Sequence, residues 1–164
     1  MSDEPLFFGK YRGQVTKNND SDGLGRIRAT VLDVYGKNES PWALPSVPYA
    51  GDKVGLMLIP PVGAWVWFEF EQGKPKKPIY SGCFWEKNQT RPAGSPTKKV
   101  LAFDTVTITI DDSQPGQGNI AIETDASCHL SIAGNTIEIT NAKGSTIKLS
   151  GSTVSINDQG LQVT

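Results

Sequence analysis

Between Gly134 and Gly160 the chain says nearly the same thing three times: Gly-Asn-Thr-Ile-Glu-Ile, Gly-Ser-Thr-Ile-Lys-Leu and Gly-Ser-Thr-Val-Ser-Ile. Each copy carries two large apolar side chains spaced two residues apart, so both lie on one face of an extended strand. The pattern extends in both directions: Val106/Ile108/Ile110, Ile120/Ile122, Leu130/Ile132, Ile137/Ile139, Ile147/Leu149, Val154/Ile156 and Leu161/Val163. From Ile120 onward the pairs begin 10, 7, 10, 7 and 7 residues apart. A heptad coiled coil also repeats in sevens. It needs apolar spacings of three and four, however, and Thr, Ser and Gly are poor residues for a helix interior.

The repeat therefore predicts short strands with two or three inward residues each, punctuated by Gly, Ser and Asn, as in a β-solenoid or an intertwined β-helix. Two apolar residues per strand are too few to give one chain a core that offsets the entropy of ordering it. Solenoids of a single chain have longer turns, commonly around 20 residues, and a capping segment. Neither is seen here. Three chains wound together would enclose a shared apolar interior and close the sheet edges. The expected state is a homotrimer with Val106, Ile108, Ile110, Ile120, Ile122, Leu130, Ile132, Ile137, Ile139, Ile147, Leu149, Val154 and Ile156 in its core. Gly134, Gly144 and Gly151 are the expected corners where each chain bends to the next face.

The rest of the chain is different material. All four Trp and all four Tyr lie before residue 86, and no Phe, Tyr or Trp follows Phe103. The first 96 residues carry 12 basic and 10 acidic groups; the remaining 68 carry 4 and 7. A break this sharp predicts two structural units. The Pro/Gly-containing stretch Asn88–Lys99 reads as the connection between them. Before it, strand signals dominate. In Gly25–Gly36, Ile27, Ala29, Val31 and Asp33 share one face. In Ala64–Gly73, Val66, Phe68 and Phe70 point one way; Trp65, Trp67, Glu69 and Glu71 point the other. Lys77–Trp85 is a third β-rich run. About five short strands with turn signals between them suit a small closed barrel. Its outward-facing Trp65 and Trp67 are candidates for a hub or inter-subunit interface, because exposed aromatic clusters mark contact surfaces.

The stretch "IPPVGAWVWFEFEQGKPKKPIYSGCFW" (Ile59–Trp85) resembles the OB-fold domain of baseplate spike proteins of contractile-tailed phages. That module also occurs in the spikes of type VI secretion and extracellular contractile injection systems. "FFGKYRGQV", "GLGRIRATVLDV" and "WALPSVPYAG" fall where the family places its first strands and its Trp-containing loop. "VTITIDDSQPGQGNIAIETD" (Val106–Asp125) is similar to the start of the family's triple-stranded β-helix. The resemblance implies an all-β chain: an N-terminal OB-fold barrel over residues 1–87, a linker over 88–103, and a C-terminal intertwined trimeric β-helix over 104–164. It further implies docking of the barrels on a tail hub protein and a small PAAR-type cap protein on the apolar tip at Leu161 and Val163. With no lysozyme-like domain and no toxin extension, the chain is expected to be a minimal spike.

Nothing in the sequence assembles a catalytic, metal or cofactor site. His129 is the sole histidine, which leaves no evident Ser-His-Asp set, and its position in the repeat is an outward one. In Asn18–Gly23, Asn18, Asp20 and Asp22 are spaced like a Ca²⁺ loop, but Ala29 stands where the bidentate Glu belongs, so the segment reads as a turn. Cys83 and Cys128 read as small buried hydrophobes. The net charge of −1 gives no general attraction for nucleic acid or anionic membrane. The acidic N-terminus does not look like a secretory signal, and no apolar run is long enough to span a bilayer. The expected function is mechanical: a protein made in the bacterial cytoplasm, assembled into a tail baseplate or injection particle, and touching a target membrane only during puncture. The rival expectations are an OB-fold protein that binds single-stranded nucleic acid, and a β-helical tail adhesin that binds carbohydrate.

Overall fold

Alternating apolar residues produce strands almost everywhere in the computed structural model, which describes residues 5–158 and 160–163, without the side chains of Gln162 and Val163. The chain divides into two units, residues 1–90 and 91–164.

In the first unit, β1 (Tyr11–Lys17), β2 (Arg28–Thr30), β3 (Leu44–Pro45), β6 (Trp65–Phe70) and β7 (Pro78–Phe84) form one sheet in the order β2-β1-β6-β7-β3. The two-residue strands β4 (Ala50–Gly51) and β5 (Val54–Gly55) form a separate hairpin. The sheet is curled shut. β3 runs parallel to β7, and the residue before it, Ala43, exchanges backbone hydrogen bonds of 2.8 and 3.2 Å with Ile27, just ahead of β2. The bridge covers part of the outer strands β2 and β3, which would otherwise be open edges. Buried Ser40 reinforces the seam: its hydroxyl accepts from the Ala29 N–H at 3.0 Å and donates to the Pro41 carbonyl at 2.8 Å.

The barrel core consists of Val15, Ile27, Ala29, Val31, Ala43, Val66, Phe68, Phe70 and Tyr80. The inward face expected of Val66, Phe68 and Phe70 is the one observed. Phe68 fits because position 13, diagonally across on β1 and paired with Val66, is glycine: a Cβ there would stand 2.9 Å from the Phe68 ring and 3.1 Å from a Val31 methyl. The expected strand through Asp33 is not observed. Ile27, Ala29 and Val31 are inward, but Leu32–Tyr35 forms a single helical turn, α1. The Val34 and Tyr35 N–H groups both turn back to the Val31 carbonyl, and Gly36 at φ 60° lets the chain leave. Glu71 likewise lies past the end of β6, in a 3-10 turn (Glu71–Gly73).

The second unit is one eight-stranded antiparallel meander in strict chain order: β8 (Lys98–Ala102), β9 (Val106–Asp111), β10 (Asn119–Thr124), β11 (His129–Ala133), β12 (Thr136–Thr140), β13 (Thr146–Ser150), β14 (Thr153–Ile156) and β15 (Leu161–Val163). The segment expected to be linker, 88–103, thus contains strand β8, whose Leu101 pairs with Ile108. Gly134, Gly144 and Gly151 are not corners leading to another face. They turn the chain back into the same sheet. Gly134-Asn135 and Gly151-Ser152 are two-residue hairpin loops with the glycine at φ 54° and 58°, the first-position glycine that a type II′ turn requires. At the five-residue loop 141–145, Asn141 Oδ1 accepts from the Lys143 and Ser145 N–H groups at 3.0 and 2.9 Å. The expected burial of the two cysteines is also absent: Cys83, beside Gly82 at φ 112°, and Cys128, in the turn before β11, are both exposed.

Candidate interaction surfaces

The register of the meander stacks the apolar pairs into two continuous columns. One runs Ile110–Ile120–Ile132–Ile137–Leu149–Val154, and its neighbour runs Leu101–Ile108–Ile122–Leu130–Ile139–Ile147–Ile156–Leu161. Residues two apart on a strand share a face, so both columns lie on the same side of the sheet. The opposite face is polar, with Glu138 paired to Lys148 at 3.7 Å and Glu123 to His129 at 3.5 Å. His129 is therefore on the outward side, as expected. Among the described residues of this unit none is buried, and its apolar side chains remain substantially exposed, Ile120 at 40%, Ile139 at 45% and Ile147 at 42%. The face forms a hollow of about 540 Å³ lined by Ile122, Leu130, Ile139, Ile147 and Ile156, with Thr124, Cys128, Asn141 and Ser145 along one border. A single-layer sheet with one apolar and one polar face has no core of its own. All the residues expected in a trimer core lie in these strands; Val106, at the start of β9, pairs with Thr124.

At the end of the columns, Leu161 is 55% exposed and pairs with Ile156. Val163 has its backbone in β15 opposite Val154, but its side chain lies outside the described residues.

On the barrel, Trp65 and Trp67 point outward from β6, as expected, but they do not stand alone. Trp67 lies 4.5 Å from Phe84 and Trp65 lies 5.9 Å from it, between ring centroids. The Arg12 guanidinium sits 5.7 Å from the Trp67 ring and 5.2 Å from the Phe84 ring, and is held by Glu86 at 2.8 Å. Both Trp rings are half-buried by this packing. Glu69, next along the face, is ion-paired with Lys10 and accepts from the Ser81 hydroxyl at 2.9 Å; these contacts hold its carboxyl below the usual range. Glu71 pairs with Lys77 at 3.3 Å. Arg12, Phe84 and Glu86 were not expected, because they reach Trp67 only through the pairing of β6 with β1 and β7.

A further surface has no sequence-level expectation attached to it. The β4–β5 hairpin and the extended segment after it expose Tyr49, Val54, Leu56, Met57, Leu58 and Ile59 around a groove of about 290 Å³. Met57 and Ile59 approach the floor of the groove at Gly25, where a Cβ would stand 3.5 and 3.9 Å from their side chains.

The Asn18–Gly23 segment is a turn, as expected, and its acids are occupied by protein. Asp20 accepts from the Arg26 guanidinium at 2.6 and 3.0 Å and from the backbone N–H groups of Asp22, Leu24 and Arg26. Arg26 also pairs with Asp22 and lies 5.7 Å from the Trp42 ring, on which Arg28 packs at 5.0 Å. The Arg26 guanidinium, first, and the backbone donors hold the Asp20 carboxyl well below the ordinary carboxylate range. A carboxylate depressed by folding stabilises the fold above its unfolded pKa of about 3.9 and loses that contribution as pH falls toward the folded value. The barrel should thus hold its stability from neutrality down to about pH 5 and lose it progressively below. Asp20→Asn should lower stability at neutral pH and flatten the acid slope, as measured by urea unfolding followed through Trp fluorescence. Equal acid slopes in the two proteins would show that Asp20 does not carry the dependence.

Among the described residues, no group of three or more His, Cys, Asp and Glu side chains is placed to hold a metal ion, and no helix is long and apolar enough to cross a membrane. Residues 11–85 match the family model described as the type VI secretion system/phage-baseplate injector OB domain. Residues 99–162 match the model described as the phage baseplate V C-terminal trimerisation domain. No curated protein matches the chain.

Proposed function

Because this chain belongs to the phage baseplate V family, carrying its injector OB domain and then its trimerisation domain, we propose that its homotrimer is the spike at the tip of a contractile tail. Membership makes the protein a structural component of a phage baseplate or a related injection particle. The finer reading is mechanical. Three sheets pack their two-column apolar faces against one another, the polar faces turn outward, and each chain supplies one wall of a needle. The barrels dock on a hub protein at the end of the tail tube, using the Trp65/Trp67 side. The far end receives a small cap at Leu161 and Val163. Sheath contraction then drives the needle through the target envelope, a task that asks for rigidity and symmetry and uses no catalysis.

The observation that carries this reading is the exposed apolar face of a sheet with no buried residue among those described. Such a face calls for a covering partner, and the match to a trimerisation domain supports further copies of the chain in that role. Two measurements test the reading. The purified protein should sediment at three times 17.7 kDa. A gold label on the C-terminus should appear at the distal point of tails isolated from the producing cell. A label found along the sheath, or absent from purified tails, would refute the spike assignment.

A further inference from the structure

We propose that the β4–β5 hairpin and the segment up to Ile59 are the surface through which the three barrels of the homotrimer meet one another. The inference rests on the homotrimer and not on docking to a hub. Tyr49 is 60% exposed, Met57 62%, Val54 51% and Leu58 50%, in one stretch of a barrel whose own core is complete without them. The hairpin carries Asp52 and Lys53 at its tip, but from Val54 to Ile59 the segment has no charged residue, the depletion of charge that marks the centre of permanent interfaces. By contrast, the Trp65/Trp67 side is already packed by Phe84 and Arg12 and rimmed by the ion pairs of Glu86 and Glu69.

The choice of a second copy over a tail partner follows from availability. The chain trimerises through residues 99–162, and 13 residues, 85–97, lie between β7 and β8. That length spans at most about 45 Å, so the other two barrels are present at an effective concentration on the order of millimolar as soon as the trimer forms. A separate tail partner would have to be met by diffusion, and until then the patch would be bare on a soluble particle. Under threefold symmetry, residues close to the axis meet their own copies, so Met57 of each chain would approach Met57 of its neighbours.

The test uses the full-length trimer with Cys83 and Cys128 replaced by Ser and a single probe, Met57→Cys. Maleimide labelling of the trimer peak should be about tenfold slower at position 57 than at exposed Lys87→Cys in the same background, and mild oxidation should yield disulfide-linked pairs at 57. Labelling at equal rates without cross-linking would overturn the proposal; if tails purified with the protein then protect position 57, the surface belongs to a tail partner. Should the variant not fold, hydrogen exchange on the unaltered trimer decides. The N–H groups of Met57, Leu58 and Ile59 have no backbone partner among the described residues. Slow exchange there supports a covering copy, and exchange at the rate of free peptide refutes it.

Discussion

Ile147→Asp is expected to turn the trimer into a monomer of 17.7 kDa. Ile147 stands mid-column between Ile139 and Ile156, on the face that one chain leaves uncovered. If three such faces meet, three carboxylates enter one apolar interior whose neighbours in the column, Ile139 and Ile156, offer no charge to pair them. Burying an ionised carboxylate unpaired costs several kcal/mol per group, and here three are brought together. The control is Ser155→Asp, on the opposite face and directly across from Lys148. It should leave the trimer intact. Analytical ultracentrifugation of both variants reads the difference. A trimer that survives Ile147→Asp would place that side chain outside the shared interior, and the column would need another explanation.

The second large effect belongs to the barrel. Phe68 is fully buried, and glycine at position 13 makes room for it. Phe68→Ala should cost about 3–5 kcal/mol through lost transfer energy and an unfilled cavity. That is a large part of the roughly 5–15 kcal/mol that holds a typical domain together. Urea unfolding followed by Trp fluorescence should show a lower midpoint for the barrel, while the oligomeric state, set by the second unit, stays unchanged. If the variant instead loses its trimer, the two units are more dependent on each other than their separate architectures imply.

What could be read from the sequence was mostly which side of a strand a residue occupies. Period-two alternation leaves only two choices, and a single apolar set decides between them. That is why Val66, Phe68 and Phe70 fall inside the barrel and why the pairs of the repeat share one face. Where strands end and which strands become neighbours was less legible. Val31 continues the alternation of Ile27 and Ala29, yet the backbone beyond Thr30 closes into a helical turn, because its N–H groups find the Val31 carbonyl rather than a partner strand. The repeat glycines signal a positive φ, and both a corner and a hairpin meet that demand. Only the register of Ala133 with Thr136, and of Ser150 with Thr153, shows the chain returning to its own sheet. Arg12 was invisible as the partner of Trp67 and of Glu86, since 74 residues separate it from Glu86 and only the pairing of β1 with β6 brings it to the Trp67 ring. The charge-free run from Val54 to Phe68 covers β5 and the exposed segment after it together with the inward residues Val66 and Phe68, so lack of charge alone did not separate surface from core.

The strict chain order of the meander also makes the second unit a ruler. Each strand adds one inter-strand spacing, ~4.8 Å, in the direction of the columns. Eight strands therefore extend it in fixed increments, whatever their side chains. Adding or removing a hairpin changes the length by ~10 Å while keeping every later side chain on its face and every later strand in its direction. Removing one strand reverses all that follow. Length in such a unit can thus change by whole hairpins without moving any later side chain off its face.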